Sequence, residues 1–305
     1  MAIADTASKT PRSSTDDQSA PESAPAPPQV LYIMGASRSG STILGVVLDQ
    51  VASTFYAGEL CDWPELEGKS TVPHSAPFWD TVRDRFGPVP ANAHRYKRVF
   101  EHPAGLVNPA AFSRTLRHEY EVVTKAVLEA VKDESDCDTV IDSSHYPRRA
   151  RTLRRILGKD GVRLVFIVRR PSSVARSFRT SGDKGWFRAN AYLAVVGVLS
   201  WLVYLTHSKK NRVRISYEAL ANSPVGTGAR ALGHPIEGLD PANMNPPRVL
   251  IGNRFVKASE AISIRPLTEE PDLTLLERLT DIFQWPYRVA GSYAAHLELG
   301  DRSAS

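Results

Sequence analysis

Five consecutive apolar residues, Val30-Leu31-Tyr32-Ile33-Met34, end at Gly35. The next seven, Ala36-Ser37-Arg38-Ser39-Gly40-Ser41-Thr42, are small or polar apart from one arginine. Ser41 to Val51 then places Ile43, Leu44, Val47 and Leu48 on one helical face. A buried strand, a glycine-containing loop and a helix in that order restrict the fold more than any other feature of the chain. The loop aims backbone N–H groups at whatever sits above it, and the helix behind it adds partial positive charge, a ready receptor for an anion.

Further short apolar runs follow the same rhythm. Strands are predicted at Ser53–Ala57, Thr139–Ile141, Val162–Val168 and Val213–Ser216, with helical stretches at Pro109–Lys132 and Arg148–Leu157 between them. Strands alternating with helices give an α/β fold, P-loop-like and three-layered, around a mainly parallel sheet of four or five strands. Residues 1–28, rich in Ser, Ala, Pro and Asp, bury too little apolar surface to offset their ordering entropy and read as a disordered tail. A single domain then spans 29–305. The stretch Ala191–Thr206 carries no charge. It is shorter than the ~20 residues of a spanning helix, so the length rule favours a buried core helix over a membrane-associated segment.

Gly35 to Gly40 matches the spacing of the phosphate loop G-x-x-x-x-G-K-[ST], with Ser41 standing where the lysine belongs. That lysine reaches the β- and γ-phosphates in ATP and GTP sites, so its loss argues against a nucleotide kinase. Arg38, a permanent planar cation inside the loop, suits a different charge layout. The formal net charge of +5 fits anionic ligands, and the basic residues form no single long run, so nucleic acid is not an expected partner. Cys61 and Cys137 lie far apart without metal-ligand spacing. With no apolar stretch behind a basic start, they point to a reducing cytoplasm and to chemistry without a metal.

At this point the sequence resembles a family. Gly35-Ala36-Ser37-Arg38-Ser39-Gly40-Ser41-Thr42 after an apolar strand is similar to the 5′-phosphosulfate loop of sulfotransferases that use 3′-phosphoadenylyl sulfate (PAPS), especially the protein-tyrosine type and many bacterial ones. The resemblance implies that Arg38 faces the sulfuryl and 5′-phosphate end of the donor, with Ser39, Gly40, Ser41 and Thr42 around the phosphate. It also implies a second site for the 3′-phosphate. The strand Val162–Val168 ends in Arg169-Arg170-Pro171, and Ser177 follows Arg169 by eight residues, the spacing of the family's 3′-phosphate pair. Gly252-Asn253-Arg254 resembles a C-terminal segment that closes over the nucleotide in bacterial relatives. A Gly-Asn turn with a solvated edge reads equally well.

Transfer to a hydroxyl or amine requires a base within hydrogen-bond reach of the acceptor. Glu59, in Gly58-Glu59-Leu60 after the second strand, resembles the family's catalytic glutamate. His145, in Asp142-Ser143-Ser144-His145-Tyr146-Pro147, is the rival. It stands where many relatives carry lysine, so base, charge stabiliser and plain loop histidine all stay open. The implied activity is sulfuryl transfer from PAPS to a small-molecule, glycoside or lipid acceptor. A phosphotransferase and a non-catalytic anion- or membrane-binding protein are the alternatives. The segment 64–108, with Trp63 just before it, holds Phe78, Trp79, Phe86, Tyr96 and Phe100, read as core in preference to an acceptor pocket.

Overall fold

The computed structural model describes residues 29–182, 185–252, 254–257, 260–264 and 274–284. The proposed tail, 1–28, lies outside the described residues. Five strands form one parallel sheet: β1 (Val30–Gly35), β2 (Thr54–Gly58), β3 (Thr139–His145), β4 (Val162–Val168) and β5 (Arg212–Ser216), in the order β2-β3-β1-β4-β5. The central β1 is buried along its whole length, as a strand covered on both faces must be.

Among the described residues, ten α-helices connect and flank the strands: α1 (Ser41–Asp49), α2 (Ala76–Phe86), α3 (Arg114–Ser135), α4 (Pro147–Leu157), α5 (Pro171–Ser181), α6 (Trp186–Thr206), α7 (Tyr217–Asn222), α8 (Pro224–Leu232), the short α9 (Arg254–Lys257) and α10 (Leu275–Phe283). One core, with α1, α7 and α8, gathers Leu31, Ile33, Val165 and Ile167 from the sheet. The other core takes the alternate residues Val30, Tyr32, Leu164 and Phe166, under α2, α3, α4 and α6. This is the period-2 alternation of a strand serving two layers. The chain leaves β1 toward α1 on one face and β3 toward α4 on the other. A crevice therefore opens at the carboxyl ends of the strands, where α/β sheets place ligands.

Several boundaries differ from the sequence reading. The stretch from Pro109 divides into a 3-10 turn, Pro109–Phe112, and then α3, because Ser113 is extended and its Oγ accepts from Leu116 N at 3.3 Å as an N-cap. β3 runs on through Asp142-Ser143-Ser144 to His145, although its apolar signal ends at Ile141. Those polar residues are buried in pairs. Asp142 Oδ1 accepts from Ser144 N at 2.9 Å and from Ser144 Oγ, and its Oδ2 accepts from Arg149 Nε at 2.7 Å. Arg149 Nη1 donates to Glu101 at 2.7 Å, as does the Tyr120 hydroxyl at 2.6 Å.

Arg149, Asp142 and Glu101 are all at most 3% exposed. Losing one partner from such a buried group strands the other charges at a cost of about 3–5 kcal/mol. Arg149→Met is therefore expected to lower stability by that amount, read by urea unfolding. The aromatic segment is core: Trp63, Phe78, Trp79, Tyr96 and Phe100 are buried and Phe86 packs against them.

Helix α6 corrects the reading of Ala191–Thr206 as a buried core helix. Leu193, Val196 and Val203 are buried, but Val195, Val198, Leu202 and Leu205 on the opposite side are each about half exposed. A length rule tests spanning; it says nothing about which faces find neighbours.

Candidate active site

The loop between β1 and α1 is bent by two left-handed residues, Arg38 (φ 69°) and Gly40 (φ 94°). Gly40 is required on two grounds. Its φ suits glycine, and a Cβ there would meet the Tyr217 ring at 2.3 Å. Gly40→Ala is expected to displace Tyr217 or the loop, lowering the melting temperature and weakening anion binding together; a thermal-shift series with sulfate reads both effects.

On the far side of the loop, the Tyr192 hydroxyl of α6 accepts from Ser37 N and donates to Ser37 Oγ, both at 2.9 Å. Ser39 is fully buried beneath the loop and is not among the residues facing the cleft, unlike its expected role.

Arg169 leaves the tip of β4 and crosses back to the loop, its Nη1 donating to the Arg38 carbonyl at 3.0 Å. Its guanidinium stacks on the Tyr217 ring, 4.2 Å from the centroid. Burial pulls its pKa down, with Tyr217 and Glu218 acting the other way. The two clusters read as separate anion sites thus adjoin. Arg38, Gly40, Ser41, Thr42, Glu59, His145, Arg169, Ser177 and Gly252 all line one cleft of about 490 Å³. Asn253 lies outside the described residues, and Arg254 begins α9. The segment before it runs past the end of β2, with Leu250 N donating to Ala57 O at 3.0 Å, which brings Gly252 to the cleft rim.

Glu59 and His145, the two candidate bases, are neighbours, with Nε2 3.3 Å from Oε1. Burial pushes the Glu59 carboxyl up, but the charge and hydrogen bond of His145, with Lys97 and Arg38, outweigh it and hold the group below the usual carboxylate range. His145 adopts φ 66°, and Tyr146 N donates across it to Ser144 O at 2.8 Å, a tight three-residue turn. Such turns are uncommon and strained, and the buried Asp142–Ser144–Arg149 set holds this one in place. Asp142 has both carboxylate oxygens engaged in that set.

Two buried atoms of cleft residues have no hydrogen-bond partner among the described residues: Arg169 Nε and His145 Nδ1. Buried polar atoms are normally satisfied, so the unpaired guanidinium donor of Arg169 at a cationic cleft fits an anionic ligand with acceptor oxygens.

Three tyrosines that carry no motif in the sequence brace the site. Tyr217 holds Arg169 and Gly40, Tyr192 holds Ser37, and the Tyr56 hydroxyl lies 2.9 Å from Ser143 Oγ and also bonds Thr42. Tyr217 could have been found, because it directly follows β5 at a strand tip, as Arg169 follows β4. Glu59, Cys61 and Asp62 also converge, with ligand atoms within 4.8 Å of one another, a grouping invisible in cysteine spacing. Lys97 already pairs with Asp62, and burial pushes the Cys61 thiol well up.

Among curated proteins no relative matches. Among solved structures the chain is similar to a sulfotransferase domain from the curacin biosynthetic pathway, at 15% identity, covering 83% of this chain and 96% of that one with a TM-score of 0.48. It is also similar to the sulfotransferase domain of the Synechococcus PCC 7002 olefin synthase, at 19% identity, covering 85% and 95% with a TM-score of 0.46. The sulfotransferase family model matches residues 28–234, which include the phosphate loop, Glu59, His145, Arg169 and Ser177. The chain belongs to the sulfotransferase family.

Proposed function

We propose that this protein acts in the cytoplasm and transfers a sulfuryl group from PAPS to a hydroxyl, or an amine, of a small-molecule, glycoside or lipid acceptor. The observation that carries the reading is the union of Arg38 with Arg169 and Ser177 along one cleft, beside the Glu59–His145 pair. PAPS is anionic at both ends of its nucleotide, and the donor would supply the activated sulfuryl group.

Arg38, Gly40, Ser41 and Thr42 would hold the 5′-phosphosulfate, and Arg169 and Ser177 the 3′-phosphate. Glu59 takes the acceptor proton as the acceptor oxygen bonds to sulfur. The bond from sulfur to the bridging phosphate oxygen breaks, and 3′,5′-ADP leaves with the electron pair. Arg38 neutralises the charge that collects on the leaving phosphate, the part of the reaction where fixed cations contribute most. His145 bonds Glu59 and steadies the same region.

Titration calorimetry tests the donor assignment. Binding of 3′,5′-ADP is expected to be much tighter than that of 5′-AMP, and equal affinities would remove the 3′-phosphate site. Magnesium-dependent ATP binding with indifference to 3′,5′-ADP would return the phosphotransferase reading.

A further inference from the structure

Helix α6 is apolar on both sides. Its inner face packs on the sheet and α5, through residues such as Leu193 and Val203. On its outer face Val195, Val198, Leu202 and Leu205 follow one another at spacings of three, four and three, each about half exposed, and Phe187 near the start is 81% exposed. The 21 residues extend for roughly 31 Å at 1.5 Å each. A surface helix of a soluble protein normally turns a charged face to water; this one carries no charge after Arg188.

The neighbouring helix supplies the charge. α4 packs against α6, and Arg154 Nη1 donates to the Thr206 carbonyl at 2.5 Å. Along α4, Arg148, Arg151, Arg154 and Arg155 join Arg117 in a groove of about 460 Å³ that, among the described residues, no acidic side chain lines. Arg155 is paired with Glu121, and Arg148 is bonded to two carbonyls, whereas Arg151 is exposed and has no carboxylate partner among the described residues. α3, α4 and α6 cover one face of the sheet, so the apolar stripe and the arginine groove belong to one outer layer.

We propose that this layer docks on an anionic bilayer surface, with α6 lying in the interface plane and the α4 arginines on lipid phosphates. The helix lies flat and does not span, because its inner face is part of the protein core and its Tyr192 holds Ser37 of the phosphate loop. A bilayer matches both halves of the surface, offering an apolar layer beneath negative headgroups. A second copy matches only one half, since twofold pairing across α6 gathers two arginine-rich flanks. Docking does not require sulfuryl transfer, and its test is independent of PAPS.

The full chain is sedimented with vesicles of phosphatidylcholine alone and of phosphatidylcholine mixed with phosphatidylglycerol. Binding is expected to the anionic vesicles, to weaken with salt, and to be far weaker on the neutral ones. Val198→Glu with Leu202→Glu should remove it. Arg151→Glu should weaken it by roughly fivefold or more, as one basic residue near such a surface contributes about 1 kcal/mol.

Circular dichroism checks that the variants fold. Should the glutamate pair misfold, wild-type tryptophan quenching by brominated acyl chains replaces it, since Trp186 and Trp201 lie on α6. Absence of vesicle binding, binding indifferent to both sets of variants, or no quenching overturns the proposal. So does a dimer, seen by light scattering, that Leu202→Glu dissociates while vesicles are ignored.

Discussion

Glu59→Gln is expected to lower kcat by roughly 10²–10⁴-fold, the usual contribution of a positioned base, while 3′,5′-ADP binds as before. Glutamine keeps the size of the side chain and an oxygen 3.3 Å from His145 Nε2, so the loss isolates proton removal from geometry. The pH profile distinguishes the two neighbours. Net interaction with His145, Lys97 and Arg38, against burial, favours ionised Glu59. A Glu59 base therefore puts the acid limb of kcat/KM below the ordinary carboxylate value of about 4.3, and a limb above that value counts against Glu59. Full activity in the glutamine variant assigns the base to His145.

Stability follows the same sign. A depressed carboxylate pKa contributes stability that is present above the unfolded value and is lost as pH falls through the folded one. That acid-side dependence should shrink in Glu59→Gln.

The second large effect is on the donor. Arg169→Met should weaken 3′,5′-ADP binding by about ten- to a hundredfold, in line with the ~1.5–3 kcal/mol of a hydrogen bond to a charged group, while 5′-AMP affinity changes little. Methionine keeps part of the packing on Tyr217, although the cation–π contact and the bond to the Arg38 carbonyl are lost. Calorimetry with both nucleotides separates loss of the 3′-phosphate contact from collapse of the loop. Equal loss for the two nucleotides would mean that Arg169 acts by bracing Arg38, not by touching the 3′-phosphate.

Much of this arrangement was legible in one dimension because the chemistry is local. A phosphate loop must sit between a strand and a helix, so Gly35 to Thr42 announces itself, and an arginine at the end of VRLVFIV is placed by the strand that precedes it. The apolar signal of β3 stops short of the strand's end for a complementary reason. Asp142, Ser143 and Ser144 are unfavourable strand interior until Arg149, Cys61 and Tyr56 arrive to satisfy them.

What the sequence determined alone was the order of strands and helices and the residue types at the strand tips, since periodicity and turn chemistry are short-range. Which tips meet was decided by the parallel β2-β3-β1-β4-β5 sheet, which sets Glu59 against His145 and Arg169 against Arg38 across separations of 86 and 131 residues. The exposure of α6 was also a tertiary matter. A helix apolar on every side carries no mark of which side the fold will cover, because burial depends on neighbours and not on the residue itself.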